Sequence, residues 1–182
     1  MRLTSDKRIA ARDRRKAAIH EAGHFVMGEH LGFTMEWACI ERTFSDNPSG
    51  EKLWVGRTRR VNGGSKQAVR LYAVAGSVAE SIWDGSDDFF EEEFYDKDAL
   101  SATDWAGAGC KPGNPTKVFL SAIEQAYTLF ERSGPLWPRV LAKSRELIVD
   151  SRDHISPEEL REQQGLRLSA DVPVRYAGSA GE

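Results

Sequence analysis

The stretch Ala17–Gly32, A-A-I-H-E-A-G-H-F-V-M-G-E-H-L-G, constrains this chain more than any other. It is a strongly helical run that meets a stop at Gly32, and it carries His20, Glu21 and His24 as H-E-x-x-H. Residues four apart on a helix lie on one face, one turn apart. The two imidazoles therefore stand side by side and can grip one metal ion. Glu21 is one step round, where a carboxylate reaches a water on that metal and takes its proton. A Zn²⁺ ion with three protein ligands and an open fourth position makes hydroxide available near neutral pH. Such pentads also arise by chance, often in loops or on exposed helices. Here Ala17, Ala18, Ile19, Ala22, Val26 and Met27 give the helix an apolar side, so its second half is expected to be buried. The motif points to a zinc hydrolase, most simply a peptidase.

Two histidines rarely make a catalytic zinc site. His30 has the separation from His24 found in H-E-x-x-H-x-x-G-x-x-H enzymes, which need a glycine three residues after the second histidine to break the helix. That position is Met27, with Gly28 one place late. On a continuous helix His30 lies about 15 Å along the axis from His20, at ~1.5 Å per residue, and cannot reach. Glu80 and Asp104 remain as candidates for the third ligand.

At 182 residues the chain suffices for one domain that needs no disulfides, here residues 1–165, followed by a tail over 166–182. A net charge of -3 argues against bulk nucleic-acid binding. Two cysteines, Cys39 and Cys110, fit a reducing compartment. Without a membrane-length apolar run or a signal-peptide core, the expected location is cytoplasmic. Lys7, Arg8, Arg12, Arg14, Arg15 and Lys16 form either a solvated face or a docking patch for an acidic partner.

Met35–Thr43 and Leu53–Val61 read as two strands joined by S-D-N-P-S-G at Ser45–Gly50, with Trp37, Cys39, Leu53 and Val55 in an alternating pattern. Arg57, Arg59 and Arg60 give the second strand the basic character of an exposed edge, and Leu53–Arg60 is a candidate to hold a substrate by strand addition. Gly63-Gly64-Ser65-Lys66 lacks the spacing of a phosphate loop. Lys66–Trp83 reads as a helix whose small residues Ala73, Ala75, Gly76, Ser77 and Ala79 permit close packing against the metal helix.

The acidic segment Asp84–Asp98 reads as a solvated loop anchored by Phe89, Phe90, Phe94 and Tyr95. A short helix started by Ser101 or Thr103 follows, then an amphipathic helix over Thr116–Arg132, one opened by Pro135 and Pro138, and a further helix start at Ser156-Pro157-Glu158-Glu159.

Three segments in order carry a resemblance: H-E-A-G-H at His20–His24, A-V-A-G-S-V-A-E-S-I-W at Ala73–Trp83, and S-A-T-D-W-A at Ser101–Ala106. Together they resemble the peptidase domain of the FtsH-type zinc proteases, over roughly residues 15 to 162. The resemblance implies that His20 and His24 are zinc ligands, that Glu21 is the general base, and that Asp104 is the third ligand. Gly76, Ala79 and Glu80 match the family's G-x-x-A-E pattern, which leaves Glu80 to hydrogen-bond a ligand histidine and fix its tautomer. The family's ATP-driven unfolding module, with its Walker loop, and its membrane anchor are not matched in the sequence. The expectation is a stand-alone, ATP-independent zinc metalloendopeptidase acting on peptides or unstructured protein segments. Its fold class is α+β, mainly α: a zincin-like metal helix with a small β-sheet, then a helical C-terminal part.

Two rivals stand beside it. One is a zinc-binding interaction module without turnover, using the basic N-terminal helix and the acidic 84–98 segment as contact surfaces. The other is a hydrolase of non-peptide amides, against which a groove beside an edge strand would speak.

Overall fold

The long first helix, α1 (Ser5–His30), is the piece against which the other elements are laid. The computed structural model describes residues 5–42, 54–61, 63–85 and 94–151. After α1 come β1 (Met35–Arg42), β2 (Trp54–Arg60), α2 (Lys66–Asp84), α3 (Ala102–Ala108), α4 (Lys117–Phe130) and α5 (Trp137–Asp150). The described chain is thus mainly helical with one small antiparallel sheet, an α+β arrangement dominated by α.

Local chemistry sets most of the boundaries. Gly32, with φ at 77°, takes the left-handed conformation that releases the chain from α1. The amides of Leu31, Gly32 and Phe33 turn back onto the carbonyls of Met27, Glu29 and Gly28. Ser65 caps α2 by accepting from the Ala68 amide, and Gly85 ends it. Ser101 and Thr116 cap α3 and α4 in the same way, and Pro138 sits in the first turn of α5.

β1 and β2 form an antiparallel ribbon in which Ile40 lies opposite Gly56 and Arg42 opposite Trp54. Ile40 and Trp54 are its buried residues. Trp37, Cys39 and Val55, which follow the alternation visible in the sequence, are only partly buried. Leu53 and the turn Ser45–Gly50 lie outside the described residues.

α1 and α2 touch at backbone distance, as the small residues of α2 require. A methyl group added at Gly23 would stand 2.6 Å from the Ala75 carbonyl oxygen and 2.8 Å from the Ala79 side chain. α4 covers another side of α2 with Phe119, Ile123, Ala126 and Phe130, all buried. α5 covers α1 with Trp137, Val140 and Leu147. Each such large apolar side chain contributes about 1.5–3 kcal/mol when fully buried.

Of the aromatic anchors expected in the acidic stretch, Phe94 is buried with its ring 5.7 Å from that of Phe119. Tyr95 instead points outward, 56% exposed, because only one of two neighbouring side chains can face the core here. Phe89, Phe90, the helix start at Ser156 and the 166–182 tail lie outside the described residues. Among the described residues, no helix is long and apolar enough to cross a membrane.

Candidate metal centre

His20 and His24 lie one turn apart on the side of α1 that meets α2, with ring centroids 4.8 Å apart. Both Nδ1 atoms are engaged by α2. His24 Nδ1 donates to the carbonyl of Tyr72 at 2.8 Å, and His20 Nδ1 donates to Glu80 Oε1 at 2.8 Å. A carbonyl or a carboxylate can only accept, so each Nδ1 carries the proton. The Nε2 lone pairs of the neutral rings are then left facing each other at 3.1 Å. Two lone pairs at that distance repel unless a cation lies between them.

Asp104 closes the group. Its Oδ1 is 3.6 Å from His24 Nε2 and its Oδ2 is 3.8 Å from His20 Nε2. One ligand atom from each of the three residues falls within 4.8 Å of the others. Tetrahedral zinc with bonds of ~2.0–2.1 Å separates its ligand atoms by about 3.3 Å, close to this spacing. Gly76 leaves the room. A Cβ there would stand 2.5 Å from His24 Nε2 and 2.6 Å from His20 Nε2, filling the cradle. The donor set and the cradle therefore fit a zinc ion.

Asp104 is placed by its own helix start. Ser101 Oγ donates to Asp104 Oδ2 at 2.7 Å and accepts from the Asp104 amide at 3.1 Å, with Thr103 Oγ1 2.9 Å from Ser101 Oγ. The next residue, Trp105, is buried and stacks on Phe119 at 5.1 Å, while its indole N–H donates to the Lys97 carbonyl at 2.9 Å. Trp105 thus pins α3 to the core and fixes the carboxylate one residue before it.

Glu21 is buried beneath β2. Thr58 Oγ1 donates to its Oε2 at 2.5 Å. Gly56 lies directly over the side chain, and a Cβ at that position would overlap Glu21 Cγ. Only glycine lets the strand settle so close to the carboxylate.

The surroundings explain the charges. Burial alone would lower the pKa of His20. The hydrogen bond to Glu80 and the charges of Glu21, Glu80 and Asp104 outweigh it and raise the value from 6.5 to about 9. A proton on His20 Nε2 thus satisfies the facing lone pairs when no metal does. Lys16 Nζ lies 3.3 Å from Glu80 Oε2 and 3.1 Å from Asp84 Oδ2. Burial disfavours its charge, yet Glu80 and Asp84 together raise its pKa. Burial pushes the Tyr72 hydroxyl up, helped by the charges of Glu21 and Asp104 and partly offset by Arg60.

An open cleft of about 1270 Å³ runs past the histidines. β2 lines it along its whole length, and residues 98–104 line it as well.

The structure thus brings His20, His24 and Asp104 to one point, with Glu21 near enough for its charge to act on His20 and Glu80 at the Nδ1 of His20, on the far side of that ring from the convergence. His30 ends α1 in an exposed position. Sequence reasoning missed Thr58, Gly56 and the Tyr72 carbonyl. The G-x-T alternation of β2 is the one trace of the first two, while a backbone carbonyl leaves no trace. Part of the basic N-terminal stretch also serves the site or the fold: Lys16 through Glu80, Arg12 by pairing with Asp84 at 3.1 Å, and Arg14 by donating to the Ile148 carbonyl at 2.8 Å. No protein-family model and no curated protein matches the chain.

Proposed function

We propose that this protein is an FtsH-like zinc metallopeptidase that hydrolyses peptide bonds in peptides or unstructured segments. One observation carries the reading: two Nε2 lone pairs and one carboxylate converge on a glycine-walled cradle, with both Nδ1 protons already committed elsewhere. His20, His24 and Asp104 would hold the zinc. When bound, the ion supplies Lewis acidity, polarising a carbonyl and lowering the pKa of water.

The chain's own residues do the rest. Glu21 takes a proton from the attacking water and passes it to the departing amine. The Thr58 hydroxyl holds the Glu21 carboxylate in one orientation. Glu80, itself held by Lys16, keeps His20 in the tautomer that leaves Nε2 free. Ser101 keeps Asp104 aimed at the cradle. The edge of β2 away from β1 has no strand partner among the described residues, and β2 borders the cleft. An extended peptide can pair there, its carbonyls brought level with the histidines. That groove beside an edge strand supports a peptide over a small non-peptide amide.

The test is a peptide library incubated with zinc-loaded protein without nucleotide, with new termini read by mass spectrometry. Cleavage by the wild type and none by Glu21→Gln is the expected pattern. Stoichiometric zinc with no new termini would make the protein a zinc-binding interaction module, and equal cleavage by the variant would remove Glu21 from the mechanism.

A further inference from the structure

β2 gives its side of the cleft a charge that the zinc site does not need. Gly56 and Thr58 turn toward Glu21, so by the two-residue period of a strand Arg57 and Arg59 project from the opposite face. Arg57 is exposed and has no ion-pair partner among the described residues. Arg59 is paired with Glu36, Nε to Oε2 at 2.6 Å. Arg60, on the Gly56 side, lies over the rings of Phe33 and Tyr72 at 4.4 and 5.0 Å and, among the described residues, donates only to the neutral carbonyls of Val61 and Gly63. Its charge is therefore stacked but not cancelled. All three line the cleft. This wall is cationic in a chain whose net charge is -3. The remaining cleft-lining lysine, Lys16, is taken up by Glu80 and Asp84.

We infer that the β2 wall selects extended peptide segments bearing acidic side chains at alternate positions, read by Arg57 and Arg59. A strand added to the free edge of β2 places its residues i and i+2 on the face from which these arginines project, with neighbouring Cβ atoms about 5 Å apart. One carboxylate of an E-x-E segment meets the Arg57 guanidinium and the other competes with Glu36 for Arg59, while the backbone meets the edge beyond Trp54, whose amide already donates to Asp13. A nucleic acid would use the same cations but has nothing to pair with the backbone N–H and C=O groups of the edge, so an acidic peptide is the better-matched occupant. Turnover of such a peptide rests on the peptidase reading; its binding does not.

The experiment uses fluorescein-labelled E-x-E peptides and their Q-x-Q counterparts, with binding read by anisotropy on zinc-loaded Glu21→Gln protein and cleavage read on the wild type. The E-x-E peptide is expected to bind about five- to tenfold tighter, since a rim charge pair is worth up to about fivefold. The preference should weaken with salt and be lost in Arg57→Glu, which keeps its zinc. Equal binding of both peptides, an unchanged preference in Arg57→Glu, or displacement by oligothymidylate as effective as by unlabelled E-x-E peptide would overturn the inference. Cleavage without charge preference would leave the peptidase standing and the selectivity refuted. Charge-selective binding with no new termini would do the reverse.

Discussion

Gly76→Ala tests the cradle with a single methyl group. Its Cβ would stand 2.5 and 2.6 Å from the two Nε2 atoms. Carbon and nitrogen come to rest near 3.5 Å, so the overlap is about 1.0 Å on His24 and about 0.9 Å on His20. A flexible side chain would swing aside, but these rings are tethered by 2.8 Å hydrogen bonds at the opposite nitrogen, His20 to Glu80 and His24 to the Tyr72 carbonyl. The helices cannot separate easily either, because Gly23 already lies against Ala75 and Ala79. The methyl group must therefore push the nitrogens off the point where they converge. We expect zinc affinity to fall at least about a hundredfold, the upper end of what losing an outer-shell partner costs. Overpacking of this kind costs about 1–3 kcal/mol, a fall in Tm of roughly 2–12 °C for a domain of this size. Zinc content after dialysis, together with a thermal melt of the metal-free protein, reads both. Gly107→Ala is the control: its Cβ meets only the Ala73 side chain, at 3.1 Å, and should leave zinc binding intact. A Gly76→Ala protein that folds and binds zinc like the wild type would refute the cradle.

Four further outcomes follow from the same geometry. Asp104→Ala should lose zinc outright, whereas Glu80→Ala should weaken it about 10–100-fold; equal loss in both, by metal analysis, would bring Glu80 into the ligand set. Glu21→Gln should keep zinc and abolish cleavage, read by metal content beside peptide turnover. Thr58→Val should lower kcat by roughly 10–100-fold with KM and zinc little changed, the worth of a hydrogen bond to a charged group, and Thr58→Ser should restore it. The His20 pKa of the metal-free protein, raised to about 9, sets a pH dependence. Its contribution to apo-protein stability is complete below pH 6.5 and lost as pH rises through 9; zinc must displace that proton, so apparent affinity should fall about tenfold per pH unit below 9. Zinc titrations at pH 6, 7 and 8 check this, and a flat profile would contradict it.

What could be read from the chain alone was local. His20 and His24 share a face of any helix that contains them, whatever surrounds it. Ser65, Ser101 and Thr116 cap their helices through bonds to amides three residues on, and Gly85 needs only its own φ of 99°. The ribbon was harder. Moving the inward face by one residue exchanges the two sides of a strand. The alternation through Trp37, Cys39 and Val55 shows a period without showing that Ile40 and Trp54 take the buried side. Thr58 and Lys16 had ordinary surface readings, because their partners, Glu21 and Glu80, are chosen by how β2 and α2 lie on α1 and not by any neighbour in sequence.

That dependence has a simple form. Lys16, His20 and His24 follow one another at intervals of four on α1, and Tyr72, Gly76 and Glu80 do the same on α2. Each set is a stripe along one helix face. The stripes run in opposite directions: Lys16 meets Glu80, His20 meets Glu80 and Gly76, and His24 meets Gly76 and Tyr72. The candidate site is therefore a register between two helices, to which α3 adds one carboxylate. Sliding α2 by a turn would move Glu80 off the His20 Nδ1 and set the side chain of Tyr72 or Glu80, rather than the bare backbone of Gly76, against the imidazole Nε2 atoms. The close contact of Gly23 with Ala75 and Ala79 locks that register. The small residues that pack the two helices and the residues that prepare the histidines are thus interleaved on the same face of α2, and packing and chemistry cannot be altered there independently.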